Sequence, residues 1–333
     1  MPTILLTFAP AARALYYGDA ALAALRALGD VRLHEDDEVL AGERLVAAAR
    51  GCQFIVGDRR TAAPAALFES CPDLLAFLRC AMDIRTIDVD AAGAAGVLVT
   101  RASAGFGNAV AEWVIGAMID LARGLSRSVH AYRSGAAPAI AMGRELRGAT
   151  LGVIGYGTIG RRVAALGLAL GMRVVVADPH APIDEAALEP AELDALLAQS
   201  DFVVCLAPAR PETENLIDAA RLARFKRGAC FVNAARGELV DEPALLRALD
   251  DGRLAGCALD VGRAPDQMPS PALARHPLVV ATPHIGGLTP PAAGHQAQET
   301  VAQLGELLRG GMPAGAVNAA QARRLEAWRA HRA

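Results

Sequence analysis

Lysine is almost missing from this sequence. Lys226 is the only one, and arginine carries nearly all of the positive charge. With 33 basic against 36 acidic residues the formal charge is −3, and no dense basic stripe stands out. General attraction to nucleic acid or to an anionic membrane surface is thereby excluded. Long apolar runs are also lacking. The apolar, charge-free stretch VAALGLALGM at 163–172 is far too short to cross a bilayer. The N-terminal MPTILLTFAP has no basic flank and only a short apolar core. It is expected to be a first strand rather than a signal peptide, which places the protein in the cytoplasm. Cysteines at metal-binding or redox spacing are absent too. Cys52, Cys71, Cys80, Cys205, Cys230 and Cys257 are scattered without a C-x-x-C pair, several of them in apolar runs such as FVVCLAP and GACFVNAA. They read as reduced core residues, with no disulfide and no metal.

What is abundant is apolar side chain, 53% of a 333-residue chain, which suits two cores better than one. Short apolar runs alternate with helical patterns: TILLTF, AALAALRALG, VRLH, the helical 40–50, CQFIVG, LLAFLRC and GVLVT. This β-α-β-α order predicts a parallel sheet covered by helices. One long helix is expected over 108–133, with Asn108 as its N-cap. A second series follows, with strands at TLGVIG, MRVVVADP, DFVVCLAP, ACFVNAA, GCALDV and LVVATPH and helices at 158–170 and 192–200. Pro290 and Pro291 read as a break, 293–310 as a returning helix, and the Ala/Pro-rich 311–320 as loose. The expected class is α/β, with two Rossmann-like doubly wound parallel-sheet domains. The returning tail makes the first domain discontinuous, 1–102 plus 291–333, around a second of 103–290.

GVIGYGTIG places Gly155, Gly157 and Gly160 in G-x-G-x-x-G spacing. The pattern is weak alone, but here it follows a strand, opens a helix and meets Asp178 at the end of the next strand. Gly155 allows the tight turn, Gly157 lets the backbone approach a pyrophosphate, and Gly160 lets the helix pack on the strand. The helix N-terminus then faces the phosphates. Asp178 is expected to accept from the adenosine ribose hydroxyls and to repel a 2′-phosphate. Since neither Pro179 nor His180 supplies an arginine, NAD is the expected cofactor.

NAARGELVDEPALLRAL puts Arg236 and Gly237 just after a strand, and TPHIGG does the same for His284. Open α/β sheets bind ligands at such C-terminal strand ends. Reduction of a 2-oxo acid needs a cation to hold and polarise the substrate and an acid to protonate the forming alkoxide. The arginine fork suits the first, and an imidazole titrating near neutrality suits the second. His295 is the nearest rival to His284, but it lies in the returning segment; His34, His130, His180, His276 and His331 carry no motif.

With these segments the chain resembles the D-isomer-specific 2-hydroxyacid dehydrogenases, the family of D-3-phosphoglycerate dehydrogenase. The matching stretches are ELRGATLGVIGYGTIGRRVA, VVVADP, PETENLID, FVNAARGELVDEPALLRAL, GCALDV and TPHIGG, with a looser match at NAVAEW. The resemblance implies a flavodoxin-like substrate domain and an NAD-binding Rossmann domain, a homodimer, and a cleft between domains for a small 2-hydroxy or 2-oxo acid. It implies Arg236 as substrate anchor, His284 as acid/base, and Asp260 on the nicotinamide side. Tyr156, Thr158, Ile159, Ala207, Pro208, Ala234, Ala235 and Gly286 join the three glycines and Asp178 as expected cofactor contacts.

Two departures from that family stand out. The family has a glutamate before a proline in the loop after its ALDV strand; here ALDVGRAPDQMPSP has none, and an ungapped count puts Pro265 at the position. Either Asp266, one residue on, replaces it, or Gln267 orients the imidazole without charge as in the related formate dehydrogenases, or nothing does. Asp266 is taken as the third catalytic candidate, set against its being a solvated loop acid. A charged partner holds the His284 pKa above its free value and a neutral one does not. The second departure is CAMDIRTID, where the family's glycine-rich carboxylate-binding loop carries Met82, Asp83 and Arg85. Arg85 is either a second anion contact or the partner of Asp83 or Asp88. Ser103 and Phe106 are also expected at the cleft. The expected function is NAD-dependent interconversion of a D-2-hydroxy acid and its 2-oxo acid. The alternatives are an NAD(H)-binding regulator on the same fold and, less consistent with the rest of the cleft, formate oxidation.

Overall fold

The computed structural model describes residues 1–331, apart from the side chain of Asp266. The chain forms two compact units, one of Met1–Phe106 with the segment from Thr289 onward, the other of Gly107–Leu288.

In the first unit β1 (Thr3–Leu6), β2 (Asp30–Leu33), β3 (Phe54–Gly57), β4 (Ala76–Arg79) and β5 (Leu98–Arg101) make one parallel sheet in the order β2-β1-β3-β4-β5. This is a doubly wound order. Between strands run α1 (Pro10–Tyr16), α2 (Asp19–Arg26), α3 (Gly42–Ala49), α4 (Ala65–Ser70) and α5 (Val89–Ala95). Residues of β3 and β4 are buried throughout, because helices cover both faces and leave no solvated side for polar alternation. The period of two still sorts the core. Ile4, Leu6, Phe54, Val56 and Leu78 pack on one face, and Leu5, Ile55, Phe77 and Val99 on the other.

The returning segment differs from the sequence expectation. Pro290 and Pro291 do not break the chain; they open α13 (Pro290–Leu308), and the Thr289 hydroxyl accepts the Ala292 N–H at 3.4 Å. Proline at a first helical turn removes only an N–H that has no partner there anyway. Ala297, Leu304 and Leu307 of α13 join the first face of the core. Residues 311–320 are not loose. Val317 N–H donates to Val99 O at 2.9 Å, Arg101 N–H to Gly315 O at 3.0 Å, and the Asn318 amide spans Val99 N and Val97 O at 2.7 and 3.0 Å. The tail thus covers the β5 edge, which would otherwise present unpaired backbone groups. A further helix, α14 (Arg323–Ala330), sets Trp328 edge-on to Phe54 with centroids 6.1 Å apart.

The second unit opens with α6 (Gly107–Arg123) and α7 (Leu125–Arg133). The single helix expected over 108–133 is broken at Gly124, whose φ of 65° is left-handed. Asn108 lies inside α6 rather than capping it, and its side-chain oxygen accepts from Arg162. The sheet is again parallel: β6 (Thr150–Ile154), β7 (Arg173–Ala177), β8 (Leu188–Pro190), β9 (Phe202–Cys205), β10 (Ala229–Asn233), β11 (Leu254–Leu259) and β12 (Val279–Ala281), in the order β12-β11-β10-β9-β6-β7-β8. Its helices are α8 (Thr158–Ala169), α9 (Leu193–Gln199), α10 (Ala219–Arg224), α11 (Glu242–Asp250) and α12 (Pro271–Ala274). All six cysteines are free and buried. Burial pushes the thiols of Cys80 and Cys205 up to about 12 and that of Cys230 to about 11, so they serve as core residues and not as nucleophiles. No helix among the described residues is long and apolar enough to cross a membrane, and none of their His, Cys, Asp and Glu side chains cluster as a metal site.

Candidate active site

The strand order of the second unit reverses between β6 and β9, and open α/β sheets bind ligands in the crevice at such a switch. The glycine turn lies there. Gly155 has φ 93°, and a Cβ on it would sit 2.8 Å from Ala207 N and Leu206 O, so the turn after β6 rests against the chain leaving β9. A Cβ on Gly160 would sit 2.1 Å from Gly155 O, which presses α8 against the turn. At Gly157 a Cβ would meet nothing within 4 Å. The middle glycine therefore faces open space, as a position reserved for a ligand's phosphates does, while the outer two are needed for packing.

Asp178 closes this turn. Its Oδ2 accepts Tyr156 N–H at 2.7 Å, and its Oδ1 accepts His180 N–H at 2.8 Å and Ala181 N–H at 3.1 Å. Burial alone would raise this carboxyl, but the three backbone donors and nearby His180 hold it below the usual carboxylate range. An ionised carboxylate has about four acceptor sites, so one remains for a ribose hydroxyl. Behind the turn the Tyr156 hydroxyl donates to Glu185 at 2.7 Å and the Arg161 guanidinium stacks 4.2 Å from the ring centroid.

Three neighbouring strands carry the other candidates. Asn233, the last residue of β10 and 1% exposed, accepts Ala235 N–H at 3.1 Å and donates to Arg236 O at 2.9 Å. This clamp folds Ala234, Ala235 and Arg236 into a tight turn, and Arg236 Nη1 donates to Ala235 O at 2.7 Å. Past β12, His284 has a left-handed φ of 56°, uncommon for a residue with a side chain. Asp260, between them at the end of β11, holds that conformation. Its Oδ1 accepts the Thr282 hydroxyl at 2.6 Å and Ile285 N–H at 2.8 Å, and its Oδ2 accepts Gly286 N–H at 2.7 Å. The residue expected on the nicotinamide side is thus engaged with the histidine loop. Gln267 Nε2 donates to Glu238 Oε1 at 3.0 Å. The side chain of Asp266 lies outside the described residues, so the place of the third catalytic candidate rests on sequence alone. Glu238, two residues past the strand-end Arg236 in ARGELVD, carries no motif of its own in the sequence, and the fold brings its carboxylate to Gln267.

In the first unit Met82, Asp83 and Arg85 lie in the loop after β4. Arg85 grips Asp83 with Nε 3.1 Å from both carboxylate oxygens and Nη2 2.8 Å from Oδ2. Ser103, past β5, ties instead to the returning helix, its Oγ 2.8 Å from Glu299 Oε2 and 2.9 Å from His295 Nε2. Phe106 is the last residue of that stretch.

A Rossmann unit with this turn, its acid at the next strand end, and an arginine and a histidine at strand termini defines a dinucleotide-dependent oxidoreductase. Residues 115–286 match the profile of the D-isomer specific 2-hydroxyacid dehydrogenase NAD binding domain. The (S)-sulfolactate dehydrogenase of Chromohalobacter salexigens is 36% identical over 266 residues, 78% of this chain and 84% of that one. The D-3-phosphoglycerate dehydrogenase of Rattus norvegicus is 34% identical over 84% of this chain but 53% of its own length, so the chain spans about half of that relative. The solved structure of a D-2-hydroxyisocaproate dehydrogenase, 24% identical, shares the fold with a TM-score of 0.86 over 96% of this chain and 100% of that one. The chain belongs to the D-isomer specific 2-hydroxyacid dehydrogenase family, whose cofactor is NAD. The residues present fit that cofactor. Gly157 leaves open space that phosphates would fill, the Gly155 and Gly160 packing leaves no room for larger residues, and the Asp178 carboxyl, held below its usual range, would meet a ribose hydroxyl as an acceptor.

Proposed function

We propose that this protein interconverts a D-2-hydroxy acid and its 2-oxo acid, with Arg236 holding the substrate and His284 moving the proton. One observation carries this reading: β10 and β12 both pair with β11 in parallel, so Arg236 and His284 leave the same end of the sheet two strands apart. Strand spacing sets their origins roughly 10 Å apart, a gap that two long side chains and a small anion fill. NAD, when bound, supplies the hydride chemistry at its nicotinamide ring. Arg236 binds the carboxylate through its fork and polarises the carbonyl. His284 donates a proton to the forming alkoxide oxygen and takes it back in the oxidative direction. Pinning both groups to strand ends supplies orientation before chemistry begins.

The test is NADH consumption with a panel of 2-oxo acids, including the counterparts of sulfolactate and 3-phosphoglycerate suggested by the relatives. His284→Asn is expected to lower kcat by roughly 100-fold or more while NADH fluorescence titration stays as in wild type. Arg236→Gln is expected to raise KM for the oxo acid. NADH binding without turnover of any oxo acid supports the NAD(H)-binding regulator instead.

The chain is further proposed to pair with a second copy through α7. None of its residues is buried, and Leu125, Val129 and Tyr132, spaced i, i+4 and i+7 on one face, are 52%, 47% and 72% exposed. Light scattering of Tyr132→Glu checks this; an unchanged dimer mass refutes it.

A further inference from the structure

Arg263 follows Gly262 in the loop after β11, and its guanidinium gathers acceptors from the loops after β9 and β10. Nη2 donates to Glu214 Oε1 at 2.8 Å, Asn215 Oδ1 at 2.7 Å and Glu238 O at 2.8 Å, and Nε to Val240 O at 3.3 Å. Its own backbone N–H donates to Glu242 Oε1 at 3.0 Å. The Glu238 carbonyl also accepts Asn215 N–H at 2.8 Å. Asn215 has a left-handed φ of 51°, a conformation asparagine tolerates better than most residues. Its turn thus aims both its N–H and its side-chain oxygen into the cluster.

The backbone of the Arg236 turn rests on the same loop. A Cβ on Gly237 would lie 2.1 Å from the Gly262 carbonyl carbon, so the residues next to Arg236 and Arg263 touch main chain to main chain. Gln267 adds the bond to the Glu238 carboxylate, and its own carbonyl accepts Gly262 N–H at 2.8 Å. The Arg236 turn is therefore tied to its surroundings on both sides. The Asn233 clamp holds it from below, and Arg263 holds Glu238, two residues further on.

We propose that Arg263 is a positioning residue for Arg236: it sets the height and direction of the Arg236–Gly237–Glu238 turn and so the aim of the substrate-binding guanidinium. The proposal rests on Arg236 being the anchor. Arginine suits this place because one rigid fork reaches Val240 O through Nε and the other three acceptors through Nη2, two separated points that a compact lysine ammonium does not cover together. Two carboxylates also meet this residue, Glu214 on the guanidinium and Glu242 on the backbone N–H, so removing the cation leaves them without its charge.

The test uses the purified full chain with Arg263→Gln, Arg263→Lys, Arg236→Gln and the Arg236→Gln/Arg263→Gln double variant. Loss of the charged hydrogen bonds is expected to raise KM for the oxo acid roughly tenfold to 100-fold in Arg263→Gln. NADH affinity is expected to stay within about twofold, and kcat to change far less than KM. Arg263→Lys is expected to recover part of the loss and serves if the glutamine variant folds poorly. The double variant is expected to be no worse than Arg236→Gln alone, since both changes disable one anchor. Hydrogen exchange at 236–240 and at Asn215 is expected to speed up in Arg263→Gln while β10 stays protected. Unchanged KM, multiplicative losses in the double variant, or unchanged exchange at these amides overturns the proposal. A wild-type chain that reduces no 2-oxo acid overturns the functional reading instead, and the exchange data then decide the hold on the turn by themselves.

Discussion

Asp260 Oδ2 accepts the Gly286 N–H at 2.7 Å, and a Cβ on Gly286 would lie 2.7 Å from the same oxygen. The buried carboxylate and the glycine are matched, and His284 sits between them in a left-handed backbone that costs about 1–3 kcal/mol to hold. Asp260→Asn would turn an amide N–H toward an N–H or hydroxyl donor and lose at least one bond. We expect it to destabilise the fold by about 1–3 kcal/mol, measured by urea unfolding, and to lower kcat more than NADH affinity. Wild-type kcat in this variant would show that the histidine loop holds itself.

The glycine turn separates packing from binding. Gly160→Ala places a methyl 2.1 Å from Gly155 O, whereas Gly157→Ala meets no protein atom within 4 Å. The first is expected to lower Tm together with NADH affinity. The second is expected to leave Tm unchanged and abolish NADH binding, since the methyl occupies phosphate space. Equal losses of Tm in both would contradict this division.

Asp178 is held below its ordinary carboxyl pKa of 3.8 despite partial burial. Its bonds therefore contribute stability that is complete above the unfolded value near 3.8 and is lost as pH falls through the lower folded value. The acid limb of stability against pH is expected to flatten in Asp178→Asn. NADH affinity in the wild type is expected to hold level from neutral pH to about 5. In Asp178→Asn it is expected to drop roughly tenfold while NADPH gains relative to NADH. Calorimetry at two pH values checks both.

Arg79 is fully buried at the end of β4, stacked 5.5 Å from the Phe77 centroid, with Nη2 2.8 Å from Thr61 O and 2.9 Å from the Thr86 hydroxyl and Nη1 on Asp58 O. Burial pushes the guanidinium down to about 10, so it is still charged at neutral pH. It ties the loop after β3 to the loop holding Met82, Asp83 and Arg85. Arg79→Met strands these acceptors and is expected to cost about 2–4 kcal/mol, with faster exchange at 58–61 and 81–86. A loss under about 0.5 kcal/mol, the range of ordinary surface changes, would show that the loops hold without it.

Much of this was readable in advance, for identifiable reasons. The strands announced themselves because a parallel sheet covered on both faces demands unbroken apolar runs, as at FVVC and FIVG. The glycine turn was readable because its demands are local: three backbone positions and an acid on the next strand. Other features were hidden. Gly124 in a helix interior and Gly124 as a left-handed break are spelled alike. Pro290 is a breaker in one context and a helix opener in another, decided by Thr289 before it. The tail over β5 rests on bonds between residues more than 200 positions apart, such as Asn318 with Val99.

The amino-acid order alone determined the α/β class and the dinucleotide turn and marked Arg236 and His284 as strand-end candidates, because each depends on spacing within one strand-turn-helix unit. Tertiary structure decided who holds those residues. Asp260 supports the His284 loop, Asn233 and Arg263 support the Arg236 turn, and Glu238 meets Gln267, because these contacts join loops that only the stacking of β9, β10, β11 and β12 brings together.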